Sequence, residues 1–226
     1  MVFRDKLKQY SKGLKVRFKK SSYGELWQDE SYVKDNGEYE SMIKSRPLMI
    51  EFIKKYIEKI NPETTLEIGC GTGYFPIKHK NLFQKYTAMD IGKPAIDFCR
   101  KNSEFEFLEG DFIKTDLNRK FDLVFTQSVI DHVYDPNEFL KQIVKHTKKH
   151  ALICAYRGYF PEYEDHKMEY FNRGGFYHNE LSVKKIKETL LNYGLTNNQF
   201  SIHKQANGRG RKNEIRNFDT VVEIEL

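Results

Sequence analysis

Three glycines at alternate positions, Gly69, Gly71 and Gly73, directly follow the apolar run Thr65–Ile68, with Glu67 inside that run. A strand entering such a loop has to turn sharply at the carboxyl end of its sheet, where glycine lets the backbone adopt left-handed conformations and approach a ligand closely. The spacing sets this loop apart from two other nucleotide-holding loops. The dinucleotide fingerprint G-x-G-x-x-G would need a glycine where Tyr74 stands, and a phosphate loop would need a G-K-S/T ending that does not follow here.

From residue 64 onward, apolar runs alternate with helix-like segments, the pattern of a sheet built from parallel strands and helical crossovers. The runs are Thr65–Ile68, Tyr86–Asp90, Phe105–Leu108, Asp122–Thr126, Ala151–Tyr156, Gln199–His203 and Thr220–Leu226, seven expected strands. Ile50, Ile53, Ile57 and Ile60 recur at helical spacing until Asn61-Pro62 stops the pattern. Asp135-Pro136-Asn137-Glu138 has the form of a capping box ahead of Phe139, Leu140, Ile143 and Val144. Ser182 is placed to cap a further helix containing Val183, Ile186, Leu190 and Leu191, which Gly194 ends. The connection between the last two runs, residues 204–218, is too short for a parallel crossover, so those strands are expected to pair antiparallel. The expected fold is α/β: a doubly wound, mostly parallel seven-stranded sheet with an antiparallel last strand and helices on both faces.

With 226 residues, 39% of them apolar, the chain has the size and core material of one domain with decorations. No run reaches the length of a membrane span and the N-terminus lacks the apolar block of a secretion signal, so a soluble, cytoplasmic protein is expected. Cys70, Cys99 and Cys154 are odd in number and lack CxxC spacing, which argues for buried reduced thiols rather than disulfides or zinc. The net charge of +6 is uneven: residues 1–20 carry eight Lys/Arg against Asp5, and residues 204–216 carry five against Glu214. Two basic patches suit an anionic substrate, nucleic acid or a membrane face about as well as they suit a solvated tail and loop.

The pattern Glu67-x-Gly69-x-Gly71-x-Gly73 resembles the first motif of class I S-adenosylmethionine-dependent methyltransferases, whose seven-stranded sheet has the antiparallel final strand inferred above. Asp90 ends the second run, 17 residues beyond Gly73, and Gly110-Asp111-Phe112 follows the third. The stretch from Phe121-Asp122-Leu123-Val124 through Asp131-His132-Val133 resembles the segment after the fourth strand in the small-molecule enzymes of that class. The resemblance covers residues 43–156 well and the two final strands in outline. It implies S-adenosyl-L-methionine as cofactor, with Glu67 near its amino group and Gly69, Gly71 and Gly73 turning the backbone beneath it. Asp90 would hold the ribose hydroxyls beside Ile91, Asp111 the adenine amino group, and Phe112 the ring, with Gln127 closing the site. A cofactor with a sulfonium and no phosphate suits backbone amides backed by acids. Each acid also has an ordinary reading, as a helix cap for Glu67 and Asp111 or a turn residue for Asp90; their joint spacing favours the site.

Methyl transfer from a sulfonium is an in-line displacement, so alignment and exclusion of water matter most, and a base matters chiefly for a hydroxyl acceptor. His132, just past the fourth strand, and His178 are the candidate catalytic residues; each would equally serve as a packed bystander. Residues 157–181 read as an acceptor-binding insertion rich in aromatic residues, with Arg157, Tyr159, Arg173 and Tyr177 as candidate substrate contacts. Residues 1–42 read as a basic arm and a lid carrying Tyr23, Trp27, Tyr32 and Tyr39, and residues 43–226 as the methyltransferase domain. Asp131, His132 and Asp135 lie close in sequence, but no metal is required, because Asp135 is better explained as a helix cap. The expected reaction is methylation of a small acceptor, at oxygen of a carbohydrate, nucleotide-sugar or carboxylated metabolite, and negative charge on that acceptor would suit the cations. Two alternatives stand beside it. The basic arm and the "GRGRKNEIR" loop would suit a tRNA or other nucleic-acid methyltransferase, although Thr126-Gln127-Ser128-Val129 replaces the N-P-P-Y/F signature of base-amine methylation. The other is a non-catalytic partner subunit. Oligomeric state has no signature in the sequence.

Overall fold

The computed structural model describes residues 21–34, 45–210 and 214–226. The basic arm of residues 1–20, Tyr39, the side chain of Tyr32, and Arg211 and Lys212 therefore lie outside the described residues.

Seven strands form the main sheet: β1 Thr64–Ile68, β2 Lys85–Asp90, β3 Glu106–Glu109, β4 Phe121–Gln127, β5 Thr147–Ala155, β8 Phe200–Ala206 and β9 Phe218–Glu225. Their order is β3-β2-β1-β4-β5-β9-β8. Pairing is parallel from β3 through β5, and β9 lies antiparallel between β5 and β8. The expected antiparallel closure is thus present, with the last strand inserted one place from the edge. The chain winds outward from β1 to β3, then crosses back to β4, so the strand order reverses between β1 and β4. Ligands in open α/β sheets lie outside the carboxyl ends of the strands at that reversal.

Six α-helices are described: α1 Ser31–Lys34, α2 Pro47–Ile60, α3 Tyr74–Lys78, α4 Lys93–Asn102, α5 Pro136–His146 and α6 Val183–Asn192. Alternate residues of the central strands feed two cores, as the two-residue period of a strand requires. Val124, Ala151 and Ile153 pack with Phe139, Leu140 and Ile143 of α5 and Ile186 and Leu190 of α6. Leu123, Phe125, Leu152 and Cys154 pack on the other face with Met49, Ile53 and Ile57 of α2, Phe75 of α3 and Ile96 of α4. Every residue of β4 is buried, which is why its sequence reads as a continuous rather than an alternating apolar run. All three cysteines are buried free thiols. Among the described residues, no helix is long and apolar enough to cross a membrane.

The caps form as read. Asp135 accepts from Glu138 N at 2.9 Å, and Ser182 Oγ accepts from Lys185 N at 3.0 Å. Glu138 turns to Lys141 and Gln142 instead of completing the reciprocal half of the box. Three differences from the sequence reading stand out. The link between β3 and β4 carries no helix, so the strand–helix alternation breaks there. Strand β5 begins at Thr147, directly after α5, rather than at Ala151. Residues 157–181, expected as an insertion, contain an antiparallel hairpin that the sequence reading does not include, β6 Lys167–Phe171 and β7 Phe176–Glu180.

Candidate active site

The glycine loop sits at the predicted turn. Gly69 (φ +74°), Gly71 (φ +54°) and Gly73 (φ +67°) all take left-handed conformations. A Cβ on Gly69 would stand 2.1 Å from Val129 Cγ2, so the loop after β1 lies directly against the segment after β4. Asp90 holds the loop in place: Oδ2 accepts from Gly71 N at 2.8 Å and Oδ1 from Gly92 N at 2.7 Å. An ionised carboxylate offers about four acceptor sites, so capacity for a ligand remains beside these backbone bonds. Burial raises the Asp90 pKa, and the bonds from Gly92 and Gly71 oppose that rise.

Over this loop lies a cavity of about 300 Å³. Gly69, Gly71, Asp90 and Ile91 line one side, Asp111 and Phe112 one end, and Gln127, Ser128, Val129 and His132 the side toward β4. Tyr23, Trp27, Phe176 and His178 roof it, with Arg46 and Tyr156 at the far end. Residues 21–26 and the hairpin make the roof one unit. Gly24 N donates to Gly175 O at 2.7 Å, Leu26 N to Gly174 O at 3.2 Å, and the Trp27 and Phe176 rings lie 5.5 Å apart. Gly175 has φ +68°, and a Cβ there would fall 2.0 Å from Ser22 O, so the two segments meet only because position 175 is glycine. Gln28 Nε2 pins the roof to the Ile91 carbonyl at 2.7 Å.

Of the residues expected at the cofactor, Gly69, Gly71, Asp90, Ile91, Asp111, Phe112 and Gln127 line the cavity. Glu67 and Gly73 do not. Glu67 is fully buried behind the loop, where the Tyr86 hydroxyl donates to its Oε2 and Oε1 has no partner. Burial raises its pKa to about 7, opposed by Tyr86 and Gln127. Gly73 opens α3, and a Cβ there would meet Cys99 Sγ at 2.9 Å. Asp111 accepts from Ile113 N at 3.1 Å and from the Tyr134 hydroxyl at 3.0 Å.

Both candidate bases face the cavity, with ring centroids 5.8 Å apart. His132 Nδ1–H donates to Tyr177 O at 2.8 Å, and Nε2 accepts from the Tyr156 hydroxyl at 3.1 Å. The carbonyl can only accept, so one tautomer is fixed and the lone pair resides on Nε2. Burial lowers the His132 pKa to about 4, offset in part by the Tyr177 carbonyl. The His178 pKa is also lowered, again chiefly by burial. Arg157, Tyr159, Arg173 and Tyr177 do not line the cavity: Tyr177 contributes its backbone carbonyl, and Arg173 is exposed at the hairpin turn. Asp131 and Asp135 do not converge with His132. Asp131 is buried and accepts from Tyr156 N and Arg157 N, each at 3.1 Å, and Asp135 caps α5.

Sequence reasoning missed Arg46, Ser128 and the role of Tyr156. Buried Arg46 donates to Asp219 Oδ2 and to Ser128 Oγ, and Asn207 Nδ2 donates to Asp219 Oδ1 at 2.8 Å. These partners lie 82 and 173 residues from Arg46, a separation with no local signature. Ser128 adopts φ +63°, unusual outside glycine, where the chain bends away from β4.

Residues 66–155 match the family model described as a methyltransferase domain. Among curated proteins, the chain is 26% identical over 167 residues to a malonyl-[acyl-carrier protein] O-methyltransferase of Calditerrivibrio nitroreducens, covering 72% of this chain and 59% of that one. It is 26% identical over 129 residues to a ubiquinone biosynthesis O-methyltransferase of Hydrogenovibrio crunogenus, covering 54% and 51%. The chain thus spans little more than half the length of these relatives. A solved S-adenosylmethionine-dependent methyltransferase of Clostridium acetobutylicum superposes with a TM-score of 0.60 at 17% identity, covering 87% of this chain and 99% of the other. The fold is that of the class I S-adenosylmethionine-dependent methyltransferases. The part matched by the methyltransferase domain model, residues 66–155, runs from within β1 to the end of β5 of that fold.

S-adenosylmethionine, the cofactor of this class, fits the residues present. Gly69 and Gly71 leave the loop bare of side chains, and the Asp90 carboxylate, which can only accept when ionised, lines the cavity beside them. Among the described lining residues the one guanidinium is Arg46, paired with Asp219, so the glycine-loop end carries no cation that a phosphate would need.

Proposed function

We propose that this chain methylates a hydroxyl oxygen of a small acceptor drawn from carbohydrates, nucleotide-sugars or carboxylated metabolites, with S-adenosylmethionine as donor. When bound, the cofactor supplies the methyl group on a sulfonium. Asp90 would accept from the ribose hydroxyls, Asp111 from the adenine amino group, and Phe112 would pack on the base. Trp27 and Phe176 would exclude water and supply flat apolar surface for an acceptor ring.

The observation that carries the oxygen assignment is the His132 Nε2 to Tyr156 hydroxyl contact of 3.1 Å in the same cavity as the glycine loop. An acceptor hydroxyl replacing that of Tyr156 would donate to the same lone pair. His132 is neutral near pH 7 because burial holds its pKa to about 4. Such an imidazole is a weak base, yet a weak base suffices: the acceptor proton becomes strongly acidic as the new O–C bond forms, and Nε2 stands ready to take it. The two O-methyltransferase relatives add support for oxygen.

The test is S-adenosylhomocysteine formation by purified protein with sugars, uronic acids, nucleotide-sugars, simple phenols and tRNA. Turnover on a small hydroxylated acceptor is expected, and His132→Ala should lower it by about 100-fold while cofactor affinity persists. Turnover on tRNA alone, or undiminished turnover by His132→Ala, would overturn this reading.

A further inference from the structure

We propose that Asn179, in the second strand of the hairpin, is the positioning residue for His132: its side-chain amide ties the turn after β4 to β7 and so holds the imidazole in the Nδ1–H tautomer, with the Nε2 lone pair free for a hydroxyl. This rests on the methyl-transfer reading above, with His132 as base. Asn179 itself does not line the cavity. Phe176 and His178 do, and the two-residue period of a strand turns Asn179 to the opposite side, where it is fully buried.

Main chain and side chain together lace β7 to the turn. Asn179 N donates to Asp131 O at 2.8 Å, and Tyr177 N donates to His132 O at 3.3 Å. Asn179 Nδ2 then donates twice, to Ile130 O at 2.9 Å and to Val133 O at 2.8 Å, carbonyls that flank His132 on both sides in the chain. The amide cannot be reversed, because Oδ1 would then face those two carbonyl oxygens. Oδ1 itself is buried with no partner among the described residues. An unsatisfied buried acceptor is a cost that an apolar side chain would avoid, but an apolar side chain would leave two carbonyls bare. The position is built around donation into the turn.

The effect reaches the ring through one bond. His132 Nδ1–H donates to Tyr177 O at 2.8 Å, so the donor sits on the turn and the acceptor on β7. A hydrogen bond weakens steeply as its donor and acceptor lose alignment, and the relative placement of the two segments therefore decides which ring nitrogen holds the proton. The Tyr177 N to His132 O contact is long, and the shorter Asn179 contacts on either side of His132 fix that placement. If the turn drifted from β7, Nδ1–H would lose its acceptor. The Nε2–H tautomer, which has no lone pair at Nε2 to take a hydroxyl proton, would then gain population.

The test reads the imidazole directly. Protein labelled at its histidine nitrogens and saturated with S-adenosylhomocysteine is compared by NMR with Asn179→Ala, Asn179→Leu and Tyr170→Phe at mildly alkaline pH, where imidazole is neutral. The His132 signals are those missing from His132→Gln. Leucine keeps the branched shape of asparagine and removes both donors. Tyr170→Phe removes a different hairpin bond, to Ser21 O, and keeps the ring that packs on Tyr177. The unaltered protein should show the Nδ1–H form, and the Asn179 variants should lower the ratio of Nδ1–H to Nε2–H about tenfold, the scale of one buried hydrogen bond. Tyr170→Phe should leave the ratio unchanged, and S-adenosylhomocysteine affinity should be retained throughout. An unchanged ratio in the Asn179 variants, an equal fall in Tyr170→Phe, or loss of folded structure in both Asn179 variants would make Asn179 a structural tie and overturn the proposal. The Nε2–H form in the unaltered protein would overturn His132 as base and the proposal with it, and absence of S-adenosylhomocysteine binding there would overturn the methyl-transfer reading itself.

Discussion

Substituting Gly69 by alanine tests the geometry of the cofactor loop in a way that can be worked out from two numbers. The residue has φ +74°, a conformation that costs an L-residue about 1–2 kcal/mol. The new Cβ would also stand 2.1 Å from Val129 Cγ2, far inside any real contact, so Val129 must change rotamer or shift. Overpacking of that kind costs about 1–3 kcal/mol. Together Gly69→Ala should lose about 2–5 kcal/mol, measurable by urea denaturation. For a chain of this size, that corresponds to a fall in Tm of the order of 5–15 °C. Val129→Ala removes the clashing methyl groups but leaves the backbone term. The double variant should therefore recover about 1–3 kcal/mol relative to the sum of the singles, a coupling that a double-mutant cycle isolates. Additive effects would mean that the loops after β1 and β4 are not in contact, and an unaltered Tm in Gly69→Ala would mean that the left-handed turn is absent.

Three further outcomes are expected. Glu67 titrates near 7 in the folded protein against an ordinary value of 4.5, so the folded state binds the extra proton and stability should fall as pH rises from about 4.5 to 7, by roughly 3 kcal/mol; Glu67→Gln should flatten that decline in urea denaturation at pH 5 and pH 8, and an identical slope would refute the assignment. Arg46→Met leaves Asp219 charged and buried, and should cost about 3–5 kcal/mol, whereas Arg46→Met/Asp219→Leu should recover most of the loss because both charges are gone; equal Tm values for the single and double variants would contradict this. Trp27→Ala opens the roof where its ring meets Phe176 at 5.5 Å, and should raise the cofactor Kd about tenfold with little change in Tm; unchanged Kd would separate the roof from cofactor retention.

Most of the sheet was legible because its strands are buried on both faces and interrupted by strong helix signals. Asp135 and Ser182 cap the helices they announce, and Gly69, Gly71 and Asp90 meet at the cavity through short-range spacing alone. The hairpin was not legible. Its first strand, Lys167–Phe171, is exposed at all but one position and so lacks the apolar alternation that marks a strand against a core. Glu67 shows a limit of motif reading, since a strand residue next to the loop points to one face or the other and spacing along the chain does not say what occupies that face. Here it is Tyr86, paired with the Glu67 carboxylate in the core beneath α2 and α4. Arg46 and Asp219 depend on chain ends brought together by the fold. The aromatic segment around Trp27 was read as a cover for the cofactor, and Tyr23 and Trp27 do roof the cavity; that Gly175 admits this cover is visible only in three dimensions.

Calorimetric titration with S-adenosylmethionine, run in parallel on the unaltered protein and on Asp90→Ala, tests the central claim most directly. The account predicts one site per chain in the unaltered protein and affinity weakened more than tenfold in the variant, about 1.4 kcal/mol or more, because Asp90 would both hold ribose hydroxyls and anchor the Gly71 amide. No binding by the unaltered protein would contradict the cofactor assignment, and equal affinity in the two proteins would contradict the place given to Asp90.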